Sequence, residues 1–401
     1  MLYGWVAQIA VMRSPTAGLS ICLMKIANSL AEFTSLPRFL MALLVCLPVL
    51  SVGCRRPATP PEPYVAFVTN RGSSSLAEVD LARFRVAATV AVAASPERVL
   101  VRPGRQELWV VSSSGKITIV EFPGLRVIRT LSVGAGARDL AFSPDGKQAF
   151  ILDPQTGHIV FIDANAYKET ARVALGTALA NLALTPDGKT LVASSQITNQ
   201  IILVNVNSHQ ILGAVKVGKS PTQVVILPNS SQAFVCATEE NAVSAVDLKT
   251  HKLLSNVEIG IQPGTMVLKP DGGELFVFEY DGTSMVILDA NQANVEQNYP
   301  TGHQPVAGIF QQNPLVLFIA NAGDRSVMAL DVQNRTLLAS LPIGIEPKAM
   351  ALTPDERFLV VADAVGSAVA VLRTNPITLL TTFPVGASPV DVVVPGWLLK
   401  R

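Results

Sequence analysis

The chain has 401 residues, of which 49% are hydrophobic and 15% are charged, and its formal net charge is +1. Only 6% of the residues are aromatic and no basic block stands out, which excludes nucleic acid as an expected partner. The length could hold two or three average domains, but the repeats described below predict a single one.

The N-terminal segment predicts a secretory signal rather than part of a fold. An apolar run covers residues 39–50, follows Lys25 and Arg38, and is too short to span a bilayer. Residues 1–23 are long for such a leader, and Met24 offers an alternative start that would make them a gene-model extension. We therefore assign residues 1–53 to a signal peptide region.

Cys54 is the predicted site of lipid attachment, because Ser51-Val52-Gly53-Cys54 resembles a bacterial lipobox. Its departure from the pattern is Ser51, where a leucine is usual. The alternative is an ordinary signal cleaved near Gly53. We assign residues 54–63 to a lipidated cysteine and a Pro-rich, extended spacer. By similarity to lipoprotein sorting in Gram-negative bacteria, Arg55 in place of Asp implies anchoring at the outer membrane, facing the periplasm.

From residue 64 onward the sequence repeats. Each unit holds four short apolar runs separated by turn residues such as Pro186-Asp187-Gly188, which is typical of four β-strands joined by tight turns. One column of glycines, spaced 42 residues apart and preceded one unit earlier by Ala93, consists of Gly134, Gly176, Gly218, Gly260, Gly302, Gly344 and Gly386. A four-stranded period in the low forties indicates propeller blades, which bury their faces by stacking around an axis.

The recurring residues have structural roles in this interpretation. We expect the glycine after the fourth strand to permit a positive φ where the chain returns toward the axis. The Pro-Asp-Gly column predicts a tight turn between the first two strands. A polar column at the end of the third strand predicts Asx-turns in which the side chain accepts a downstream backbone N–H; in six blades it is Asp80, Asp163, Asn205, Asp247, Asp289 and Asp331.

The ends of the repeat region complement each other. The first strand pattern, residues 65–70, belongs to the second type of the unit, whereas residues 389–394 belong to the first type. The second-strand type occurs at residues 65–70, 107–112, 148–153, 190–195, 232–237, 274–279, 315–321 and 357–363. We therefore predict an all-β propeller over residues 64–401 with eight four-stranded blades, one of them built from three N-terminal strands and one C-terminal strand. The alternative is seven blades, with residues 64–92 outside the ring.

The second strands also carry a family resemblance. Phe67-Val68-Thr69-Asn70, together with residues 318–321 and 360–363, resembles the YVTN-type β-propeller repeat. The Thr185 to Lys189 turn and the third strand ending at Asp163 are similar to that repeat too. The resemblance covers roughly residues 64–396 and implies the fold. It implies little about function, because the matching residues belong to the scaffold.

One residue per blade should line the axial mouth, two positions past the start of each first strand: Arg98, Asp139, Asn181, Gln223, Thr265, Ala307, Ala349 and Asp391. With the ring closed, Arg98 lies between Asp139 and Asp391 on the two neighbouring blades. Two interpretations stay open. The three side chains form an ion-pair network at the closure seam, or the polar residues Arg98, Asp139, Asn181, Gln223 and Asp391 bind a polar ligand.

The other chemistry-bearing residues give weaker signals. Glu239, Glu240, Glu279 and Asp281 lie in loops of adjacent blades and could supply oxygen ligands to calcium, but a solvated acidic rim is the competing interpretation. His209 and His251 occupy equivalent outer turns and should diverge with their blades, which disfavours a shared metal. No haem-attachment, P-loop or nucleophile-elbow motif occurs in the sequence. We expect no cofactor, no catalytic residue and no metal site.

Two functions remain from this sequence. The first is a non-catalytic, membrane-tethered scaffold, monomeric, that binds a protein or a small polar ligand on its loops outside the cytoplasm. The second is a lactonase-like or other propeller hydrolase with a site at the channel mouth. Such a site needs carboxylates converging on a metal, and here two aspartates flank an arginine, whose charge would repel the metal. We favour the binding role, although a fold alone does not decide a function.

Overall fold

The computed structural model describes residues 64–396. The predicted signal region, Cys54 and the spacer lie outside the described residues. Within the described part, thirty-two β-strands form eight four-stranded sheets, and one short 3-10 helix covers Thr238–Glu240. Among these residues, no helix combines the length and the apolar character that a membrane span requires.

The strands are numbered in chain order, and the blades are numbered in the order in which the chain first enters them. The first four blades are blade 1 with β1 (Val65–Asn70), β2 (Ser75–Asp80), β3 (Arg85–Ala91) and β32 (Pro389–Val393); blade 2 with β4 (Pro96–Val101), β5 (Glu107–Ser112), β6 (Lys116–Glu121) and β7 (Arg126–Ser132); blade 3 with β8 (Asp139–Phe142), β9 (Gln148–Asp153), β10 (His158–Asp163) and β11 (Lys168–Ala174); and blade 4 with β12 (Leu179–Leu184), β13 (Thr190–Ser195), β14 (Gln200–Asn205) and β15 (Ile211–Lys216).

The other four are blade 5 with β16 (Pro221–Ile226), β17 (Gln232–Ala237), β18 (Ala242–Asp247) and β19 (Lys252–Glu258); blade 6 with β20 (Pro263–Leu268), β21 (Glu274–Glu279), β22 (Ser284–Asp289) and β23 (Asn294–Pro300); blade 7 with β24 (Pro305–Gln311), β25 (Val316–Asn321), β26 (Ser326–Asp331) and β27 (Thr336–Pro342); and blade 8 with β28 (Pro347–Leu352), β29 (Phe358–Asp363), β30 (Ala368–Thr374) and β31 (Ile377–Pro384). The predicted second strands match β1, β5, β9, β13, β17 and β21, and β25 and β29 begin one residue later than predicted.

The ring closes as the sequence predicts. Strand β32 pairs antiparallel with β1, with Phe67 opposite Val393 and Val68 opposite Val392, so the sheet order of blade 1 is β3-β2-β1-β32. Strand β32 also contacts the first strands β28 and β4 of its two neighbours. The eight-bladed prediction is confirmed and the seven-bladed alternative is wrong, because β1 to β3 belong to the ring.

Burial explains why the inner strands read as continuous apolar runs. Strands such as β9 are buried at nearly every position because both faces of each sheet pack against the adjacent blades. The outer strands, such as β3, alternate between exposed and half-buried residues. Each hydrophobic cluster joins two neighbouring blades; Trp109 and Ile119 of blade 2, for example, pack with Ile151 and Val160 of blade 3. Each fully buried side chain of this kind stabilises the ring by about 1.5–3 kcal/mol.

The blade connections lie on two opposite faces. The loops from fourth to first strand and from second to third strand share one face, as Val133 N donating to Gly115 O at 2.9 Å illustrates. We call this surface the loop face. The turns from first to second and from third to fourth strand share the other, as Ala164 N donating to Lys147 O at 2.8 Å illustrates. We call this one the turn face.

The turns of the turn face follow the predicted chemistry. Asp163 Oδ1 accepts the backbone N–H groups of Asn165 at 2.8 Å and Ala166 at 3.0 Å, which is an Asx-turn. The same contacts recur at Asp80, Asn205, Asp247, Asp289 and Asp331. Blade 7 lacks the Pro-Asp turn, and there Glu356 of blade 8 accepts the N–H groups of Gln312 and Asn313 instead.

The expectation for the glycine column is corrected. Only Gly176 and Gly344 of the seven have a positive φ. A Cβ at Gly134 would overlap the Asp153 carboxylate, and one at Gly386 would lie 2.6 Å from Asn70 Cγ. The side chain that ends the second strand therefore occupies the space a Cβ would need. Close approach, rather than a left-handed backbone, explains most of the column.

Candidate functional site

The predicted mouth residues all lie in the first strands, which surround the axis. Arg98, Asn181, Gln223 and Asp391 are each the third residue of their strand, and Asp139 opens β8. Asp139 is buried and the other four are at least partly accessible. The structure thus brings these five residues to equivalent positions on blades 1 to 5, one from each.

The oxygens of these side chains hold neighbouring blades together. Each accepts the backbone N–H of the residue that follows the mouth position on the next blade. The contacts run from Asp391 Oδ2 to Val99 N at 3.0 Å, from Asp139 Oδ2 to Leu182 N at 3.1 Å, from Asn181 Oδ1 to Val224 N at 2.9 Å, and from Gln223 Oε1 to Met266 N at 2.6 Å. Gln223 Nε2 also donates to Met266 O at 3.2 Å. These acceptors are therefore committed to the fold.

Arg98 is the exception, because it has no acceptor to offer to blade 3. Its Nη1 contacts Asp139 Oδ1 in an ion pair. Asp139 Oδ1 in turn accepts the N–H of Leu140 at 2.9 Å, and Asn181 Nδ2 donates to Asp139 Oδ2 at 2.8 Å. Within residues 64–396, Nε and Nη2 of Arg98 make no hydrogen bond, and 45% of its side chain is exposed.

The electrostatics of the three charged mouth residues follow from this geometry. The Asp139 carboxylate raises the pKa of Arg98 above its ordinary value, so its cation is fixed. Burial raises the pKa of Asp391, and the attraction of Arg98 and the N–H groups of Val99 and Val392 oppose that rise only in part. Of the two predicted aspartate partners, Asp139 forms the ion pair; among the described residues Asp391 acts on Arg98 through its charge without a direct contact.

A cavity of about 580 Å³ opens at this mouth. Its lining includes Arg98, Arg138, Gln196 and Thr222. Arg138 is exposed, and its side chain makes no ion pair and no hydrogen bond within the described chain. Arg138 was not among the predicted mouth residues, although it directly precedes the mouth position of blade 3 in the sequence.

Two further cavities of the loop face share residues with the mouth cavity. One, of about 480 Å³, shares Arg138 and also contains Arg71, which pairs with Glu97 at 2.8 Å. The other, of about 590 Å³, shares Gln196 and Thr222 and reaches Ile261, which is 59% exposed. The three cavities follow one another around the loop face from blade 1 to blade 6. We call them the loop-face arc.

The acidic residues predicted as weak metal candidates do not share a common site. Glu240 Oε2 accepts Lys219 N at 2.8 Å, and buried Glu279 accepts the Ser284 hydroxyl. Glu239 and Asp281 are exposed. Among residues 64–396, no group of three or more His, Cys, Asp or Glu side chains is arranged to hold a metal ion.

His303, a loop-face residue, has a partner of its own. Its Nδ1 lies 2.7 Å from Asp324 Oδ1, and its backbone N–H donates to Asp324 Oδ2 at 2.9 Å. These contacts hold the pKa of Asp324 below its usual value, with the backbone bond as the largest cause. The pair fastens the loop before blade 7 to the loop between β25 and β26.

Comparison with known proteins supports the fold. A family model described as "Lactonase, 7-bladed beta-propeller" matches residues 123–267, which run from the turn after β6 into β20. The model names seven blades, whereas this ring has eight. No protein of curated function matches the chain by sequence.

Solved structures share the architecture at low sequence identity. Dihydro-heme d1 dehydrogenase NirN, solved in complex with DHE, has a TM-score of 0.72 at 13% identity and covers 84% of this chain and 76% of its own. A functionally unknown protein from Desulfotomaculum acetoxidans has a TM-score of 0.60 at 12% identity, covering 82% and 98%. Hydrazine synthase of Kuenenia stuttgartiensis has 0.53 at 18%, covering 63% and 88%. At these identities the likeness concerns the fold alone, and the chain is a β-propeller protein.

Proposed function

We propose that the protein is a non-catalytic, membrane-tethered propeller of the YVTN-repeat type that binds a partner on its loop face outside the cytoplasm. One observation carries this proposal. The mouth acceptors Asp139, Asn181, Gln223 and Asp391 are used to hold blades together, while the loop-face arc beside them stays open. The molecule therefore offers a rigid surface with accessible cavities rather than a set of reactive groups.

The position of the tether is consistent with this role. Tyr64 precedes β1 at the turn face, where its carbonyl accepts the N–H of Leu81 at 2.9 Å. Residues 55–63 can reach at most roughly 30 Å when fully extended. The N-terminal segment therefore joins the propeller at the turn face, and the loop face is on the opposite side of the ring.

The rest of the assignment extends the sequence-based expectations. Cys54 in its lipobox-like context and Arg55 after it favour the outer membrane, with the propeller facing the periplasm and acting as a monomer. Each buried CH₂ of an acyl chain contributes about 0.8 kcal/mol to membrane binding, so several chains anchor the protein stably.

A hydrolase with a site at the mouth is the second candidate, because the lactonase model matches part of the chain. Such a site would require a carboxylate free to activate water or hold a metal. At the mouth, both oxygens of Asp139 and of Asp391 already accept backbone N–H groups. Hydrolysis of simple aliphatic lactones by the purified protein, abolished by Asp139→Ala, would favour this candidate over the binding role.

Site-specific photo-cross-linking in cells tests the binding role. Gln196 lies in the arc and Gln292 lies on the turn face, and both are exposed glutamines, so a photoreactive residue at either position is a matched pair. We expect the probe at Gln196 to give discrete protein or small-molecule adducts that the probe at Gln292 does not. Equal labelling at both positions, or labelling at neither, would contradict a loop-face binding role.

Cell fractionation of the same proteins tests the tether. We expect Cys54→Ser to move the protein from the membrane to the soluble periplasmic fraction, with Cys236→Ser as a control that stays in the membrane. Cys236 is fully buried in β17 and burial raises the pKa of its thiol, so it is not a candidate for acylation. A Cys54→Ser protein that remains in the membrane would refute lipid anchoring.

A further inference from the structure

We propose that the mouth of the loop-face arc is a binding site for an organic anion, with Arg138 and Arg98 as its cationic contacts. This inference rests on the proposed binding role and adds the chemical class of the ligand. It follows from which polar groups around the mouth are free and which are committed.

The committed groups are the hydrogen-bond acceptors. The side-chain oxygens of Asp139, Asn181, Gln223 and Asp391 each accept a backbone N–H of the neighbouring blade. A ligand that needs acceptors would have to compete with bonds that hold the ring together. The site is therefore poorly suited to a cation.

The free charged groups are donors. Arg98 keeps Nε and Nη2 without a hydrogen bond among the described residues, and the whole Arg138 guanidinium has no side-chain partner there. Both line the mouth cavity. Guanidinium groups offer forked N–H donors that match the geometry of carboxylates and phosphates. The mouth cavity is lined by these two cations and by acceptors, Asp139 among them, whose oxygens already accept hydrogen bonds across the blades, and this combination favours a ligand with a negative charge.

The size and continuity of the cavity indicate an organic anion rather than a simple ion. The mouth cavity measures about 580 Å³, which is within the range of small-molecule sites. It shares Gln196 and Thr222 with the cavity of about 590 Å³, whose lining includes the exposed side chain of Ile261. The charged group of the ligand would lie at the arginines while its body extends toward blade 6.

Calorimetric titration of the full-length protein in a non-ionic detergent, at low ionic strength, tests the site. Citrate represents a carboxylate ligand and glycerol 3-phosphate a phosphate ester, and each is titrated separately. We expect at least one of them to bind. Binding of citrate alone indicates a carboxylate ligand, and binding of glycerol 3-phosphate alone indicates a phosphate ester.

The decisive variant is Arg138→Gln, because the side chain has no partner to lose and the fold should be unaffected. We expect it to weaken binding of the anion at least tenfold. Arg85→Gln is the matched control, since Arg85 is an exposed arginine at the turn-face end of β3, without an ion pair or side-chain hydrogen bond among the described residues. That control should change the affinity less than twofold.

Two results would overturn the inference. The first is that neither anion binds the unaltered protein, and the second is that Arg138→Gln and Arg85→Gln weaken binding equally. The cross-linking experiment distinguishes a protein that binds no anion from one that has no binding role on its loop face. Adducts at Gln196 without anion binding would leave the loop-face role in place and remove only the anion class, whereas the loss of both would remove the role itself.

Discussion

At the scale of single residues, the glycine column shows what a close approach requires. Asp153 ends β9 and its carboxylate accepts the N–H groups of Ala135 at 3.0 Å, Gln155 at 3.1 Å and Thr156 at 3.2 Å. Burial raises the pKa of Asp153, but a hydrogen bond from the Thr156 side chain and these backbone hydrogen bonds together outweigh burial and leave the pKa below its usual value. Gly134 makes room for this carboxylate beside the loop that enters blade 3.

The first prediction follows from that contact. A Cβ at residue 134 overlaps the Asp153 carboxylate, so we expect Gly134→Ala to lower the free energy of unfolding by about 1–3 kcal/mol, as overpacking does. Gly213→Ala is the control. There the nearest atom to a Cβ is His251 Nδ1 at 3.3 Å, on a side chain that can move, and we expect a change within about 0.5 kcal/mol. Equal denaturant midpoints for both variants would contradict the close-approach explanation.

The glycine column also marks a limit of sequence reasoning at this scale. The repeat predicted where each glycine lies, but the expected positive φ occurs only at Gly176 and Gly344. The side chain that excludes a Cβ at Gly134 is that of Asp153, the last residue of the second strand, about 19 residues further along the chain. The repeat pattern alone does not show that the last residue of the second strand packs against the glycine after the fourth strand.

At the scale of elements, the first strands are joined by side-chain contacts that step from blade to blade. Arg98 of blade 2 contacts blade 3 through the carboxylate of Asp139, whose side chain is only 4% exposed. Thr265 Oγ1 makes another such contact by donating to Val306 O at 3.2 Å. Ala307 and Ala349 have no polar side chain for such a contact.

We expect Arg98→Met to lower the free energy of unfolding by about 1 kcal/mol. The loss is modest because Arg98 is half exposed and Asp139 keeps the donors Leu140, Asn181 and Leu182. Arg98→Lys retains the cation and should restore most of the loss. Thermal and chemical denaturation of both variants check this. A Met variant as stable as the unaltered protein, or one as stable as the Lys variant, would show that the ion pair does not hold blades 2 and 3.

The elements themselves were largely predictable, and their side-chain partners were not. Strand positions follow from the alternation of apolar runs and turn residues, so β1, β5 and β9 match prediction to the residue. The mouth column was also predicted by position. Its oxygens, however, bond to the residue after the mouth position on the next blade, as from Asn181 to Val224, and this one-residue offset depends on how adjacent blades are staggered.

At the scale of the whole molecule, the closure of the ring determines whether a mouth and a loop-face arc exist at all. Blade 1 packs on blade 8 through Val68 and Val360, and on blade 2 through Phe67 and Leu108. Strand β32 is part of both interfaces, and it supplies Asp391 to the mouth. A C-terminal segment of a few residues thus completes a sheet whose other strands lie some 300 residues earlier in the chain.

The most direct test of the closed ring is the thermal unfolding of a chain that lacks residues 388–401. Losing β32 removes its ladder of four residue pairs with β1, in which each hydrogen bond contributes roughly 1 kcal/mol, as well as the buried Val392, and we expect a single unfolding transition shifted down by about 10 °C. A chain that lacks only residues 397–401 is the control and should melt like the intact protein. If the longer deletion also melts like the intact protein, β32 does not close the ring and the mouth site loses its structural basis.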